Sequence, residues 1–406
     1  MHHKPSFYPF RSNAPLIQGF CYALALTIGQ PAQAAGDADS SGHLQQLQQQ
    51  IDALQQQLDR LTAQAPDRAT DPAPHQDREL DISGFFDVTA HTTDNSEHPF
   101  DLGSLELDIQ YDQVKNFAVS SALTWDGDTS EVAVAVLDYH INSHDVPSRG
   151  PLFTQDGFHI QFGRFDIPFG IDYEYFAAPD RANVTPPLTT ERIQQGGFNG
   201  DGLRVYGAWA QLDYAVYWTN SLFENTGNSL GARIGLFPWR SPQPAQADAP
   251  VHDFSIGLSW LRDMDSDEKR RNALQALDVR WRYRLAELIM EYVSLDSINS
   301  ISLPSGGSAG PADETGYNAR LLLAFDPLAV FVGYGEWRPD YTAVLDPDDP
   351  SLSYPVSRLK RLTLGGRYMF DDYLQIKLEY LSHLGSATAE PNFEKRRLTF
   401  QMVARF

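Results

Sequence analysis

The chain has 406 residues, and its 53 acidic residues outnumber its 31 basic residues, which gives a formal net charge of -22 at pH 7. This balance argues against nucleic acid as a partner, because phosphate binding needs a basic surface. The single cysteine, Cys21, lies in an N-terminal apolar run, so the rest of the chain offers no disulfide and no thiolate metal ligand.

The first residues have the layout of a secretory signal. Lys4 and Arg11 come before an apolar stretch from Leu16 to Ile28, and Ala32-Gln33-Ala34 forms a small-x-small cleavage signal. The apolar stretch is too short to cross a membrane as a helix. We therefore expect residues 1–34 to be a signal peptide that is removed.

A short heptad pattern follows the signal. Apolar residues recur at the alternating spacings of three and four that are typical of a coiled-coil seam, at Leu44, Leu47, Ile51, Leu54, Leu58 and Leu61. A helix this short needs to associate with other copies or to be held at one end. We interpret residues 35–64 as a periplasmic coiled-coil helix of a trimer, with a lone amphipathic helix or a disordered glutamine-rich segment as the alternative. Three prolines then indicate a linker over residues 65–79.

The remainder, residues 80–406, reads as strands and turns. We predict sixteen strands, near 80–92, 103–112, 116–126, 130–142, 156–166, 200–209, 211–219, 229–238, 252–262, 273–283, 285–295, 315–325, 328–337, 358–370, 373–383 and 394–406. An even number of strands, with short turns alternating with long links, is typical of an outer-membrane barrel. The predicted fold is therefore all-β, a 16-stranded antiparallel transmembrane β-barrel. Two links on the short-turn side, around 143–155 and 239–251, are longer than this pattern predicts.

Strand parity predicts which side chains face lipid and which face the lumen. Leu105, Leu107 and Ile109 alternate with Glu106 and Asp108, and later strands repeat the pattern. Inward charges would be costly in a dry core but are solvated in a wet lumen. Aromatic residues near strand ends predict interfacial girdles, at Trp125, Trp209, Trp218, Trp260, Trp337, Tyr368 and Tyr380.

The third outer loop, residues 168–199, is the longest link and the candidate for a constriction. It mixes aromatic residues and prolines with charged residues, which suits an ordered loop folded into the lumen. A surface-exposed receptor loop is the alternative. The charged candidates in this loop are Asp172, Glu174, Asp180, Arg181, Glu191 and Arg192.

Inward charge is segregated along the chain. Early strands carry acidic residues, among them Glu106 and Asp108, whereas later strands carry arginines, among them Arg361 and Arg367. We expect an acidic wall opposite a basic wall, which would set up a transverse field across the pore. The run Arg280, Arg282 and Arg284 predicts an arginine ladder that could pass anions, with a solvated wall without selectivity as the alternative.

The C-terminal strand has the alternation Leu398, Phe400, Met402, Ala404, Phe406. This ending resembles the last strand of Gram-negative outer-membrane barrels, in which a terminal Phe is recognised by the barrel assembly machinery. Together with the GRFDIPFG motif from Gly163 to Gly170 that enters the third loop, the layout resembles the porin O/P (phosphate-selective porin) type. The siderophore-porin family is a second neighbour, since it also has a PFG motif and a PLT segment like Pro187-Leu188-Thr189.

The resemblance implies a homotrimer in the cell outer membrane, in contact with lipids and lipopolysaccharide. Phosphate selectivity in the first family depends on lysine-rich and arginine-rich pore positions, whereas this chain has no lysine within 168–199. We expect a porin that passes small hydrophilic or charged solutes or ions, with an uptake receptor for a siderophore or other ligand as the alternative. The histidines are scattered and show no motif spacing, so we expect no enzyme, no metal and no cofactor.

Overall fold

The computed structural model describes residues 79–92, 100–114, 116–141, 157–223, 227–239, 252–264, 272–297, 301–302, 308–309, 312–340, 342–344, 353–355, 358–384 and 395–406. The predicted signal peptide, the predicted coiled coil and all but the last residue of the predicted linker lie outside these residues. The predicted link around 143–155 and residues 240–251 of the link around 239–251 also lie outside the described residues. Among the described residues, no helix is both long enough and apolar enough to cross a membrane.

Sixteen antiparallel strands form a closed barrel, in which each strand pairs with its neighbours and the last strand of the chain pairs with the first. The prediction of sixteen strands is confirmed, and every predicted boundary lies within three residues of the observed one. The strands are β1 (Glu79–Thr92), β2 (Phe100–Val114), β3 (Phe117–Trp125), β4 (Ser130–His140), β5 (Gly157–Asp166), β6 (Asn199–Trp209), β7 (Leu212–Asn220), β8 (Asn228–Trp239), β9 (His252–Asp263), β10 (Ala273–Tyr283), β11 (Ala286–Ser297), β14 (Ala312–Phe325), β15 (Leu328–Asp340), β18 (Leu359–Met369), β19 (Leu374–His383) and β20 (Arg396–Arg405).

Four further strands form a small separate sheet among the described residues, which the sequence pattern does not predict. They are two or three residues long and lie in the links after β11 and β15: β12 (Ile301–Ser302), β13 (Ser308–Ala309), β16 (Thr342–Val344) and β17 (Ser353–Pro355). Strands this short have too few alternating positions to show a pattern in the sequence.

Tight turns join strands at one end of the barrel, as predicted. Between β6 and β7 only Ala210 and Gln211 intervene, and between β10 and β11 only Arg284 and Leu285. Ala210 and Arg284 adopt left-handed backbone conformations, with φ of 54° and 52°. Two-residue hairpins favour such turns because they follow the right-handed twist of the strands.

The outer face of the barrel is apolar, and the parity prediction is confirmed on β2 and β10. Leu277 and Trp281 are 44% and 43% exposed, whereas Asp278 between them is 1% exposed. An apolar face all around a barrel requires an apolar medium, which identifies the strands as transmembrane. Trp337 is the exception among the girdle predictions: it is buried inside the barrel, where its indole N–H donates to Glu314 over 2.6 Å.

The segment between β5 and β6, residues 167–198, folds into the barrel and is called the inner loop below. Its apolar residues form a core with the inner wall, in which Ile167, Phe169, Leu188 and Ile193 are all nearly fully buried. The barrel interior is therefore partly dry. This apolar contact holds the inner loop inside the barrel, because exposing these side chains to a wet lumen would be unfavourable.

Candidate functional site: the lumen and the inner loop

The inner loop begins at the PFG motif, which docks on strands β8, β9 and β11. The Gly170 N–H donates to the Ser259 hydroxyl over 3.0 Å, and the Gly170 carbonyl accepts from Arg233 over 2.6 Å. Gly170 has φ of +67°, and a side chain there would collide with the carboxylate of Glu291. Only glycine combines this backbone conformation with such a close approach. The motif therefore fixes how the loop enters the lumen.

A short helical turn, Asp172–Tyr175, carries the next candidate residues. The Asp172 carboxylate accepts from Arg181 over 2.8 Å, and both side chains are buried. Glu174 accepts from Arg280 of the wall over 2.9 Å. The ring of Tyr175 lies between wall cations, 5.5 Å from the guanidinium carbon of Arg280 and 5.3 Å from that of Arg320. These contacts bind the first arm of the loop to β10 and β14.

The tip of the inner loop contacts β19 and β20. Lys377 donates to the Ala178 carbonyl over 2.5 Å, and Gln375 donates to the Pro179 carbonyl over 2.9 Å. The exposed carboxylate of Asp180 accepts from Arg405 over 2.9 Å. The inner loop thus crosses the lumen from strands β8–β11 to strands β19 and β20, next to the place where β20 pairs with β1.

A buried carboxylate, Glu379 of β19, holds the start of the return arm. It accepts from the backbone N–H groups of Val184 and Thr185, at 2.8 Å and 3.1 Å. Arg397 of β20 adds a hydrogen bond to the Thr185 hydroxyl at 2.8 Å. Backbone donors aimed at one ionised acceptor make strong, directional hydrogen bonds.

The return arm contains a second helical turn, Thr189–Ile193, with two of the predicted charged residues. The Glu191 carboxylate accepts from Arg361 over 2.7 Å and lies 3.4 Å from Arg192. Burial by itself would raise the pKa of Glu191, but Arg361 and Arg192 outweigh burial and hold this pKa below its usual range. The Arg192 guanidinium also lies over the Trp337 ring, 5.5 Å from its centroid.

A cavity of about 480 Å³ remains between the inner loop and the wall formed by β1 to β4. Carboxylates line the wall side, at Asp87, Glu106, Asp126 and Glu131. Among the described residues, two cations line the cavity, Arg181 of the inner loop and Lys377 of β19. Arg181 is already paired with Asp172. The lining of this cavity therefore has an excess of negative charge.

The predicted arginine ladder is wrong. Arg280 is bound between Glu174 and Glu287, at 2.9 Å and 2.6 Å, and Arg282 pairs with Asp253 at 2.5 Å. Arg284 does not belong to β10 at all, because it lies in the tight turn that follows Tyr283. Carboxylates pair with the first two guanidiniums and the third belongs to the turn, so these three side chains do not form a continuous ladder along β10.

Acidic residues of β1 and β2 line the cavity, and among the described residues the arginines of the later strands do not form a separate basic wall on its other side. Glu106 lines the cavity, Asp108 lies half-buried on the same strand, and Arg367 is half-buried on β18. Closure of the barrel pairs β20 with β1, so Arg405 lies beside the acidic wall rather than opposite it. The inner loop, which covers much of the arginine-rich wall, faces the acidic residues instead. Closure and loop packing, neither visible in a linear charge pattern, cause this difference.

Several residues that hold the loop were missing from the predicted site, among them Glu291, Glu379 and Lys377. Strand parity could have found them. Glu379 stands between the outward-facing Leu378 and Tyr380, which are 51% and 37% exposed. Parity marks a residue as inward, but it does not say whether the residue meets water or the loop.

The sequence matches no protein-family model, and it matches no curated protein. Solved structures do resemble the fold. The OmpF complex with daunomycin from Salmonella typhi has a TM-score of 0.57 at 10% identity and covers 81% of this chain and 98% of that chain. The trimer form of OmpT from Vibrio cholerae has a TM-score of 0.52 at 11% identity, and the match covers 81% of this chain and 99% of that chain. The outer membrane channel DcaP of Acinetobacter baumannii has a TM-score of 0.51 at 11% identity, and the match covers 81% of this chain and 97% of that chain. The chain therefore has the barrel fold of these outer-membrane proteins.

Proposed function

We propose that this protein is an outer-membrane porin, a water-filled channel through which small hydrophilic or charged solutes diffuse. The observation that carries the proposal is the inner loop: wall side chains bind its entry, tip and return arm, and a charged cavity of about 480 Å³ stays beside it. Because wall side chains hold the loop on both sides of the lumen, the loop narrows the lumen without closing it. Asp172, Glu174, Asp180, Arg181, Glu191 and Arg192 are the loop residues we assign to this constriction.

We infer that the channel prefers cations. Four carboxylates and two cations line the cavity among the described residues, and one of these cations is paired with a buried carboxylate. A pore wall of one sign attracts the opposite ion and repels ions of its own sign. The broken arginine ladder supports the same conclusion, since it removes the feature that favoured anions.

The proposal extends to the setting of the barrel. We propose that a mature chain without residues 1–34 forms a homotrimer in the outer membrane, with residues 35–64 as a periplasmic coiled coil and 65–79 as a linker. Lipids and lipopolysaccharide would surround the barrel after its insertion by the assembly machinery. The trimer form of the Vibrio cholerae protein with the same fold supports this stoichiometry.

Single-channel conductance in a planar bilayer, recorded under a salt gradient, tests the channel directly. We expect stable steps in groups of three without any added ligand, and a reversal potential of the sign for cation preference. A barrel that is folded but silent until a ligand is added would contradict the porin and favour an uptake receptor. Anion preference would agree with a porin but would favour the phosphate-selective type over a cation-preferring channel.

A double variant, Asp87→Asn with Glu106→Gln, tests the acidic wall. We expect the ratio of cation to anion permeability to fall several-fold toward unity, because two of the four cavity carboxylates lose their charge. The matched control, Asp201→Asn with Asp371→Asn, makes the same change of net charge at exposed positions away from the cavity. Equal selectivity in the double variant and the control would assign the cation preference to another part of the pore.

A further inference from the structure

Three side chains of metal-ligand type meet on the inner wall, at the barrel end that carries the tight turns. Asp138 and His140 stand two positions apart on β4 and so share a face, and His159 of β5 lies directly opposite His140 in the strand register. All three are buried, with exposures of 4%, 4% and 1%. The structure thus brings together two histidines that looked scattered in the sequence.

The distances within this cluster are short. The two Nδ1 atoms of His140 and His159 are 2.7 Å apart, and the Asp138 Oδ1 atom lies 3.7 Å from His140 Nδ1. One atom from each residue lies within 4.8 Å of the others. Two imidazole lone pairs cannot face each other at this distance, so either a hydrogen or a cation must lie between the rings.

The Asp138 carboxylate is oriented by its neighbours. Its Oδ2 atom accepts from the Tyr206 hydroxyl over 2.7 Å and from Gln161 over 2.9 Å, whereas its buried Oδ1 atom accepts no hydrogen bond among the described residues. The Tyr206 ring also stacks on His159, at 4.9 Å between centroids. A buried carboxylate oxygen without a donor is costly unless a cation meets it. Hydrogen bonds of this kind orient metal ligands in known sites.

We propose that Asp138, His140 and His159 form a binding site for a divalent transition-metal ion, with Zn²⁺ as the first candidate. Oδ1 of the aspartate and Nδ1 of both histidines are the protein ligands, and water completes the coordination. Two nitrogens and one carboxylate oxygen suit Zn²⁺, Cu²⁺ or Ni²⁺, whereas Ca²⁺ and Mg²⁺ prefer oxygen alone.

Only a small adjustment separates the observed geometry from a metal site. Ligand atoms about 2.0–2.1 Å from Zn²⁺ in a tetrahedron stand roughly 3.3 Å from each other. The two rings must therefore move apart by about 0.6 Å, and the Asp138 Oδ1 atom, 3.7 Å from His140 Nδ1, must approach that nitrogen by about 0.4 Å. Side-chain rotations supply such shifts. A bound ion would cross-link β4 to β5, the strand that leads into the inner loop.

Zinc binding to the refolded, mature protein, stripped of metals with EDTA, tests the proposal. Zn²⁺ is titrated in competition with a chromophoric chelator, and Co²⁺ is added separately to read the visible absorption of a four-coordinate site. We expect one tight ion per barrel, with affinity lowered at least about 100-fold in His159→Gln and in His140→Gln. Tyr206→Phe keeps all three ligands and removes one orienting hydrogen bond, so we expect affinity to fall about 10–100-fold.

His252→Gln is the matched control, because His252 is an exposed histidine on β9 and lies outside the cluster. It should bind Zn²⁺ like the parent protein. Equal Zn²⁺ binding by His159→Gln, His140→Gln and the parent would overturn the proposal and leave the pair joined by an N–H···N hydrogen bond only. Should both variants fail to refold, anomalous diffraction at the zinc edge from crystals of the parent protein decides the matter: a peak between the rings supports the site, and its absence at saturating Zn²⁺ refutes it.

Discussion

Glu291 of β11 contacts both arms of the inner loop. Its Oε1 atom accepts from the backbone N–H of Ile171 over 2.9 Å, and its Oε2 atom accepts from Thr189 over 2.7 Å and from Asn318 of the wall over 3.1 Å. Every partner is a donor, which satisfies an otherwise costly buried carboxylate. One side chain therefore fixes the spacing between the start of the loop and its return.

A substitution of Gly170 tests whether contact with Glu291 determines the position of the loop. We expect Gly170→Ala to displace the PFG turn, since the new methyl group collides with Glu291 and φ of +67° is itself unfavourable for alanine. Left-handed strain alone costs about 1–3 kcal/mol. Single-channel recordings should show a larger and noisier conductance, and limited proteolysis should cut within 167–198.

The control for Gly170→Ala is Gly196→Ala in the same loop. Gly196 has φ of +96°, but a methyl group there meets nothing within 4 Å. It therefore carries the backbone strain without the collision. Identical conductance in the two variants would show that strain, and not contact with Glu291, determines the loop position.

Glu191 provides a prediction on pH. Its pKa is lowered from the usual 4.5 in the folded protein, so its pairing with Arg361 stabilises the loop above that pH and is lost as the pH falls through the lower folded value. Channel noise should therefore rise under acidic conditions. Glu191→Gln should show that noise at neutral pH as well.

Asp201→Asn is the comparison for Glu191→Gln, because the Asp201–Arg164 pair spans 2.8 Å but is 47% and 40% exposed at its side chains. Exposed pairs contribute little to stability. It should leave the acid response unchanged. An unchanged acid response in Glu191→Gln would mean that another group is responsible.

The inner loop acts as one element because its contacts are spread over many strands. Its entry is bound by β8, β9 and β11, its tip by β19 and β20, and its return arm by β11, β14, β18 and β19. An apolar core adds to these polar contacts. Loss of one contact is therefore expected to loosen one arm and to leave the barrel intact.

Glu379→Gln tests a single arm of this element. An amide keeps the shape and one acceptor but loses the charge, so the hydrogen bonds from Val184 and Thr185 weaken. Hydrogen bonds to charged groups contribute about 1.5–3 kcal/mol. We expect hydrogen exchange at 183–187 to accelerate at least several-fold while the strands stay protected.

Glu336→Gln is the counterpart on the wall itself. Glu336 is as well buried as Glu379, yet it accepts from Arg338 over 2.6 Å and from Tyr317 over 2.7 Å, which are both wall residues. Exchange in the loop should not change in this variant. Faster exchange at 183–187 in both variants would indicate a general softening of the barrel.

The barrel as a whole depends on the seam where its last strand meets its first. Phe406 follows β20 and exchanges two backbone hydrogen bonds with Gly84, each of 3.1 Å. Its ring is 55% exposed and lies where a side chain on Gly84 would stand. The backbone of the last residue thus helps to close the barrel, and its ring remains available to another partner.

Phe406→Ala separates these two roles, because alanine keeps the backbone hydrogen bonds and loses the ring. We expect the purified variant to refold in detergent with its usual resistance to denaturation, since closure is retained. In cells we expect at least a several-fold loss of folded protein from the outer membrane, because the assembly machinery would no longer recognise the C-terminus. Heat-modifiability on gels measures both quantities.

Phe370→Ala is the matched control for Phe406→Ala. Phe370 is a comparably exposed phenylalanine, with 57% of its surface exposed, beside the turn between β18 and β19. It should accumulate normally. Similar losses in cells for both variants would assign the effect to the apolar surface in general and not to the terminus.

The fold was largely predictable, whereas the pairing of charges was not. The apolar and polar alternation around Leu277 and Asp278 is a local signal that survives folding, so all sixteen strands, and the faces of strands such as β2 and β10, could be read from it. Arg284 was misassigned because a turn ended the strand one residue before it. Trp337 was misassigned because an aromatic residue near a strand end suits either face.

The sequence by itself determined the strands, the faces they present, the acidic residues of β1 and β2 and the loop that enters the lumen. These depend on neighbours in the chain, because a strand repeats every two residues. Only the tertiary structure decided that Glu291 meets Ile171, 120 positions away, that the open lumen lies beside β1 to β4, and that His140 meets His159. Such contacts depend on register, closure and loop packing, which bring distant residues together and leave no periodic signal in the sequence.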